Sequence, residues 1–235
     1  MKHAFVTGAD RGLGLCLCAS LLRRGWRVWA GQYMMAWPEL ETLRTQYPDR
    51  LSLIPLDVGS DASVRAAGER LRAQTDRLEL LINCAGVTGK IADIRDGYDY
   101  PVMLSTININ ALGAVRVVQT MLPLLDRGED KRVCCISSEA GSIGKCWRVD
   151  ETEYCMSKAA LNMAMRILYN RLKADGYDFR LYHPGWMNTY MMGEKSTEAD
   201  LEPEDAAEMA LDSFLKPRTS EALVLDSYDG TVWPW

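Results

Sequence analysis

Histidine is scarce in this sequence: only His3 and His183 occur among 235 residues, and the seven cysteines include no C-x-x-C pair and no zinc-ligand spacing. No metal site is expected. The cysteines (Cys16, Cys18, Cys84, Cys134, Cys135, Cys146 and Cys155) are odd in number, and several lie inside apolar patterns where a thiol behaves as a small hydrophobe. They read as reduced, structural thiols of a cytoplasmic protein, not as a disulfide framework. Basic blocks are missing too: 27 Lys and Arg face 32 Asp and Glu, a net charge of −5 that disfavours phosphate backbones and anionic lipid. Neither nucleic acid nor a membrane is expected as a partner. No uncharged apolar run reaches the roughly 20 residues of a bilayer span. Met1-Lys2-His3 runs directly into the strand-like Ala4-Phe5-Val6-Thr7, which leaves no space for the apolar region of a signal peptide.

What is present is alternation. Short apolar runs near 3–7, 27–31, 51–56, 78–83, 131–137, 178–183 and 222–226 alternate with helical periodicity near 12–24, 38–47, 61–75, 101–126, 153–174 and 203–216. Such a pattern predicts an α/β fold, a doubly wound (Rossmann-type) parallel sheet of about seven strands with helices on both faces. No linker or repeat interrupts it, so residues 1–235 are expected to form a single domain. The least patterned segments, 87–99, 139–152 and 190–202, each follow a strand and so fall at the carboxyl edge, where ligands bind in open α/β sheets.

The first strand ends in Thr7-Gly8-Ala9-Asp10-Arg11-Gly12-Leu13-Gly14 and leads into an apolar helix. Gly8 permits a tight turn, Gly12 lets backbone approach a pyrophosphate at the positive end of the helix, and Gly14 lets helix and strand pack closely. A purely structural turn would use the same glycines, but this position in an alternating chain is where a dinucleotide sits. After the second strand, Gly31-Gln32-Tyr33 stands where an Asp or Glu would bind a ribose 2′-hydroxyl, and Arg11 offers a cation nearby. This favours NADP over NAD, with NAD possible. Leu56-Asp57-Val58 ends the third strand, where Asp57 either accepts from an adenine amino group or caps a turn.

Tyr154 and Lys158 stand four apart at the start of a helix, which places an ammonium beside a phenol. A nearby positive charge favours phenolate and brings a phenol closer to acid-base work at neutral pH. Upstream, Val133-Cys134-Cys135-Ile136-Ser137-Ser138 delivers a hydroxyl to the same edge.

These segments, together with Asn83-Cys84-Ala85-Gly86, Asn110 and His183-Pro184-Gly185-Trp186, occur in the order of the short-chain dehydrogenase/reductase family, which the whole chain resembles. Within it, the sixteen-residue interval from Ser138 to Tyr154, the Ser157-Lys158-Ala159-Ala160-Leu161-Asn162 helix and the Asp226-to-Gly230 tail ending in Pro234-Trp235 are similar to the sniffer-type carbonyl reductases. The resemblance implies hydride transfer between NADP(H), or NAD(H), and a carbonyl or secondary alcohol. Tyr154 is then the general acid/base, Ser138 stabilises the carbonyl oxygen, Lys158 binds ribose and lowers the Tyr154 pKa, and Asn110 orders a proton relay. Gly8, Arg11, Gly12, Leu13 and Gly14 would cradle pyrophosphate and adenosine, with Asp57 and Val58 at the adenine. Asn83, Ala85 and Gly86 would line the adenosine side, and Pro184, Gly185 and Thr189 would flank the nicotinamide, with Tyr154 and Lys158 also touching the cofactor.

Blander roles stay open for single members: Asn83 bracing its strand, Asn110 bonding inside a helix, Trp186 and Met187 packing in the core, Ser137 in place of Ser138. A catalytically silent NADP(H)-sensing regulatory protein is the alternative from another class, and an epimerase or dehydratase is the enzymatic rival. Segment 190–202, with Met191 and Met192, is expected to form a mobile lid, and 139–152, with Ile143, Trp147 and Val149, the opposite wall. Their apolar residues predict a moderately apolar substrate, and the two loops would carry its selection, since only about nine residues follow the last strand. The apolar helices 101–126 and 153–174 are expected to join a homodimer or homotetramer.

Overall fold

A computed structural model describes residues 1–191, 193–217 and 222–235. Met192, one of the two methionines expected in the lid, lies outside the described residues. The apolar runs become β1 (His3–Val6), β2 (Arg27–Gln32), β3 (Leu51–Pro55), β4 (Leu80–Asn83), β5 (Arg132–Ile136), β6 (Asp178–His183) and β7 (Leu225–Ser227). The helices are α1 (Gly12–Arg23), α2 (Pro38–Gln46), α3 (Asp61–Arg72), α4 (Tyr100–Ile107), α5 (Gly113–Leu125), α6 (Thr152–Leu172) and α7 (Pro203–Leu215).

Successive strand residues face opposite sides of the sheet, so each side buries its own core. Ala4, Val6, Val28 and Ile82 pack with α1 and α7, whereas Phe5, Trp29, Leu81 and Val133 pack with α3, α5 and α6. The adjacent Cys134 and Cys135 obey the same alternation: both are buried, one in each core. The strand order is β3-β2-β1-β4-β5-β6-β7-β8, with β1 to β7 parallel. Direction of winding reverses between β1 and β4, and that switch point opens the ligand crevice at the carboxyl edge.

Two local features depart from the expected pattern. Among the described residues there are eight strands, not about seven, because β8 (Val232–Trp233) turns back antiparallel on β7. Asp229 accepts from the backbone and hydroxyl of Thr231, and Gly230, at φ +82°, completes the turn; a two-residue strand is too short to show a period. Beyond it, the Pro234 carbonyl accepts from Ser142 Oγ (2.5 Å) and the Trp235 carbonyl from Gly144 N (2.9 Å). The C-terminal hairpin therefore supports the 139–152 wall, whereas substrate selection was expected to rest mainly on the loops 139–152 and 190–202.

The second departure lies in the expected helix 101–126. A single π turn, Asn108–Leu112, joins α4 to α5. Tyr100–Leu125 is long and apolar enough, by length and composition, to cross a membrane. In this fold it is a core helix: Val117, Val118, Met121, Leu124 and Leu125 are buried, and Arg116 in its middle bonds Asp61 and Asn108.

On the other face, α1 and α7 are clamped by Glu208, which accepts from Arg23 and Arg24 (2.6 Å each). Those bonds hold the Glu208 carboxyl down to about 2. A depressed folded-state value means that the contribution is present above the ordinary carboxylate range and is lost as pH falls through the folded value. Because Glu208 is exposed, its worth is no more than about 1 kcal/mol. Glu208→Gln should lower the melting temperature by about 2 °C at pH 7, with a difference that shrinks between pH 5 and 2, as scanning calorimetry would show.

Candidate active site

The crevice is built by close approaches that leave no room for side chains. A Cβ at Gly8, whose φ is +63°, would lie 2.6 Å from Ala85 Cα, and one at Gly14 would lie 2.1 Å from the Gly8 carbonyl oxygen. Thr7 Oγ1, which the sequence did not single out for a role, receives the N–H groups of Cys84 and Ala85 at 3.1 Å and so ties the ends of β1 and β4 together. Gly12, at φ +54°, faces Thr189, whose methyl would sit 3.4 Å from a Gly12 Cβ. The first turn of α1 carries no acidic residue, and its N-cap, Arg11, makes no side-chain cap bond. An uncapped helix N-terminus with glycine backbone in front of it suits a pyrophosphate. Leu13 contributes backbone only, since its side chain is buried in the core with α1.

Arg11 lies at the corner after β2, its guanidinium 4.6 Å from the Trp37 ring and 5.2 Å from the Tyr190 ring, donating to the Tyr190 carbonyl at 3.3 Å. The corner expected to be free of carboxylate is not. Asp10, supplied from the glycine turn, accepts from Tyr33 N (3.0 Å) and Met34 N (2.8 Å) and is almost fully buried.

The adenine side is partly structural. Asp57 Oδ1 accepts from Gly59 N (2.8 Å), as in a capped turn, and Val58 packs on Gly113 within the core. Asn83 is buried, donates weakly to Cys135 Sγ on β5 (3.6 Å), and braces the sheet, its Oδ1 having no hydrogen-bond partner among the described residues. Ala85 and Gly86 do reach the crevice: a Cβ at Gly86 would lie 3.3 Å from Asn110 Oδ1 and 3.7 Å from Lys158 Nζ.

The π turn carries Asn110, a placement common at functional sites. Its amide is fully engaged, accepting from Val87 N (2.8 Å) and donating to Val87 O (2.7 Å) and Ser157 Oγ (2.8 Å). At the end of β5, Ser137 turns away and donates to Asn162 Oδ1 (2.6 Å), while Ser138 stands near Tyr154. Lys158 Nζ lies 5.6 Å from the Tyr154 ring centroid and donates to the Ile136 carbonyl at 3.0 Å. Burial pushes the Tyr154 phenol up to about 12, the nearby Ser138 hydroxyl opposes this and the Glu139 charge adds to it. Burial likewise brings Lys158 down to about 8. Burial is the largest influence on each group, because it disfavours both charged forms.

Behind Ser138 lies a network absent from the sequence reading. Ser138 Oγ donates to Glu139 Oε2 (2.5 Å), and Arg148 bonds both Glu139 and Glu151, the left-handed residue (φ +56°) from which α6 starts. His183 Nδ1 is 3.4 Å from the same Glu139 oxygen. Burial raises the Glu139 carboxyl, but the Ser138 and Arg148 hydrogen bonds and the nearby charges leave it below its ordinary value. Desolvation lowers His183, which favours its neutral form.

On the far side, Gly185 (φ +84°) is covered by Leu201 and Tyr228, buried Pro184 precedes it, and Thr189 faces Gly12. Asn188 fastens the base of the 190–202 segment, accepting from Ala199 N (2.9 Å) and donating to Glu202 (2.6 Å). Met191 helps line a cavity of about 370 Å³ with Val87, Val102, Thr106 and Ile109. Ile143, Trp147, Val149 and Trp186 are exposed, while Met187 packs on the core. Among the described residues, no group of three or more His, Cys, Asp or Glu is placed to hold a metal.

The short chain dehydrogenase family model matches residues 2–200. The C-signal protein of Myxococcus xanthus is 38% identical over 161 residues, 68% of this chain and 95% of that one. The NADPH-bound carbonyl reductase from chicken fatty liver superposes with a TM-score of 0.89 at 28% identity, covering 100% of this chain and 99% of that chain. Carbonyl reductase Sniffer of D. melanogaster, at 24% identity and full coverage of both chains, shares the fold with a TM-score of 0.91.

Proposed function

The chain belongs to the short chain dehydrogenase family of NAD(P)-dependent oxidoreductases, and from that premise we propose that it interconverts a moderately apolar carbonyl compound and its secondary alcohol with NADP(H). The observation that carries this reading is the convergence of Ser138, Tyr154 and Lys158 at the switch-point crevice. When bound, the nicotinamide supplies the hydride to the carbonyl carbon and takes it back in the reverse direction. Tyr154 gives its hydroxyl proton to the carbonyl oxygen, or removes the proton of an alcohol. Ser138 holds that oxygen beside the phenol as charge develops on it. Lys158 holds the ribose hydroxyls and returns a proton toward Tyr154. With its amide committed to Val87 and Ser157, Asn110 serves the relay through its backbone carbonyl in the π turn.

Gly8, Gly12, Gly14 and the start of α1 hold the pyrophosphate, with Ala85, Gly86 and Asp57 on the adenosine side and Gly185 and Thr189 near the nicotinamide. Arg11 pairs with a 2′-phosphate at the Trp37 corner, where Asp10 already consumes the amides of Tyr33 and Met34. The outer faces of α4, α5 and α6, with Leu104, Leu112, Met163 and Ile167 exposed, join two copies of the chain. Its seven free thiols suit a reducing compartment such as the cytoplasm. The likeness to a protein named C-signal favours, as a second reading, a cofactor-reading regulator without turnover.

A panel of aldehydes and ketones with NADPH separates the two: turnover is expected for apolar members and should fall by at least about 10²-fold in Tyr154→Phe, with NADPH affinity held within about twofold. Normal NADPH binding without any turnover would favour the regulator, and turnover unchanged in Tyr154→Phe would remove that residue from the mechanism. Arg11→Ala should weaken NADPH by roughly tenfold more than NADH in fluorescence titration, the scale of one charged hydrogen bond. Sedimentation velocity should find a dimer or larger species that Ile167→Glu dissociates.

A further inference from the structure

The loop that follows β2 spends its backbone on itself. Asp10 takes the N–H groups of Tyr33 (3.0 Å) and Met34 (2.8 Å), and Trp37 N donates to the Met34 carbonyl at 2.9 Å. An anion at this corner has none of those amides to use and draws on side chains instead. Arg11 is the first of them: a guanidinium is all donor, and its one hydrogen bond among the described residues goes to a neutral acceptor, the Tyr190 carbonyl, at 3.3 Å. Asp10 is almost fully buried and its charge is met by two amides, so the charge that the corner presents is the half-buried cation of Arg11. The second donor is less obvious. Trp37, the N-cap residue of α2, places its ring 4.6 Å from the Arg11 guanidinium, and its indole N–H is buried without a hydrogen-bond partner among the described residues. Buried donors left unpaired are rare because they cost stability, and each marks a place where a partner is to be sought.

We propose that Trp37 is a specificity-determining residue for the dinucleotide, its indole N–H donating, beside Arg11, to a phosphate on the adenosine ribose. The inference rests on the reading of this corner as the site of NADP(H). Stacking prepares the cation for that role. The Arg11 guanidinium lies between two rings, Trp37 at 4.6 Å and Tyr190 at 5.2 Å, and the rings meet each other edge to face at 5.1 Å. Arg11 is thus held by both rings before any ligand arrives, which lowers the ordering cost of binding. The indole supplies what the cation lacks, a single donor of fixed direction. A ribose hydroxyl meets that donor only as a neutral acceptor, whereas a phosphate brings charged oxygens, with which a hydrogen bond is strongest. Arg11 contributes charge and Trp37 a directed bond, and a dinucleotide with a free 2′-hydroxyl gains little from either.

Trp37→Phe is the direct test, since it keeps an aromatic ring beside Arg11 and removes only the N–H-bearing part. In isothermal titration calorimetry of the full chain, NADP+ and 2′,5′-ADP should each bind the variant roughly tenfold more weakly than they bind the unchanged protein, the scale of one charged hydrogen bond. NAD+ and 5′-AMP should stay within about twofold. A residue that merely supports the loop, or whose N–H rests on the Tyr190 ring, would weaken all four ligands alike, and that result overturns the proposal, as does a variant that binds all four like the unchanged protein. A second measurement needs no variant to fold. Of the seven indole N–H resonances of the nitrogen-15-labelled protein, one should move downfield with 2′,5′-ADP and stay in place with 5′-AMP. If none responds to 2′,5′-ADP in this selective way, Trp37 is not the donor. Equal affinity of the unchanged protein for NADP+ and NAD+ would instead defeat the underlying reading of the corner, and the role of Trp37 with it.

Discussion

The structure depends on how closely the first turn of α1 can lie against the end of β1. At Gly14 the Gly8 carbonyl oxygen occupies the volume that any side chain would need, and at Gly8 the backbone of Ala85 does the same. These contacts bring the ends of β1 and β4 within reach of one hydroxyl, that of Thr7, and open the crevice between them. Everything with chemical character in this chain is placed relative to that crevice: the helix N-terminus on one wall, the β5 serine and the α6 tyrosine on the other.

Much of this was legible in the sequence because it rests on local periodicity. Parallel strands buried on both faces read as apolar runs, and the four-residue spacing of Tyr154 and Lys158 puts both on one face of α6. What escaped the sequence depends on contacts between distant segments or on elements too short to have a period. β8 is two residues long. The π turn adds one residue to a helix whose apolar pattern continues on both sides of it, so no break shows. Asp10 stands among glycines and gives no sign that it reaches the loop after β2. Glu139, Arg148 and His183 are scattered through the chain and meet only because β5 and β6 are neighbours.

Some residues assigned to the cofactor serve the scaffold first. Leu13 and Val58 are core, and Asn83 braces β4 against β5. Burial also changes the electrostatic reading of the catalytic pair. From spacing alone, an ammonium beside a phenol promotes phenolate, but in the folded chain desolvation acts on both partners and a carboxylate stands behind the serine. The same desolvation holds two thiols around the site, the partly buried Cys84 and the buried Cys135, up to about 12. They stand beside the acid-base machinery as packing, too poor in thiolate to compete as nucleophiles.

The Thr7 bridge has a kinetic corollary. A crevice whose two strand ends share one hydroxyl and touch backbone to backbone has no hinge in its floor, so the sheet cannot part to let a dinucleotide in or out. Exchange must go over the rim, past the segment fastened by Asn188 and stacked on Arg11 through Tyr190. A dinucleotide whose residence time follows the opening of that rim, and not of the sheet, is the expectation these contacts set.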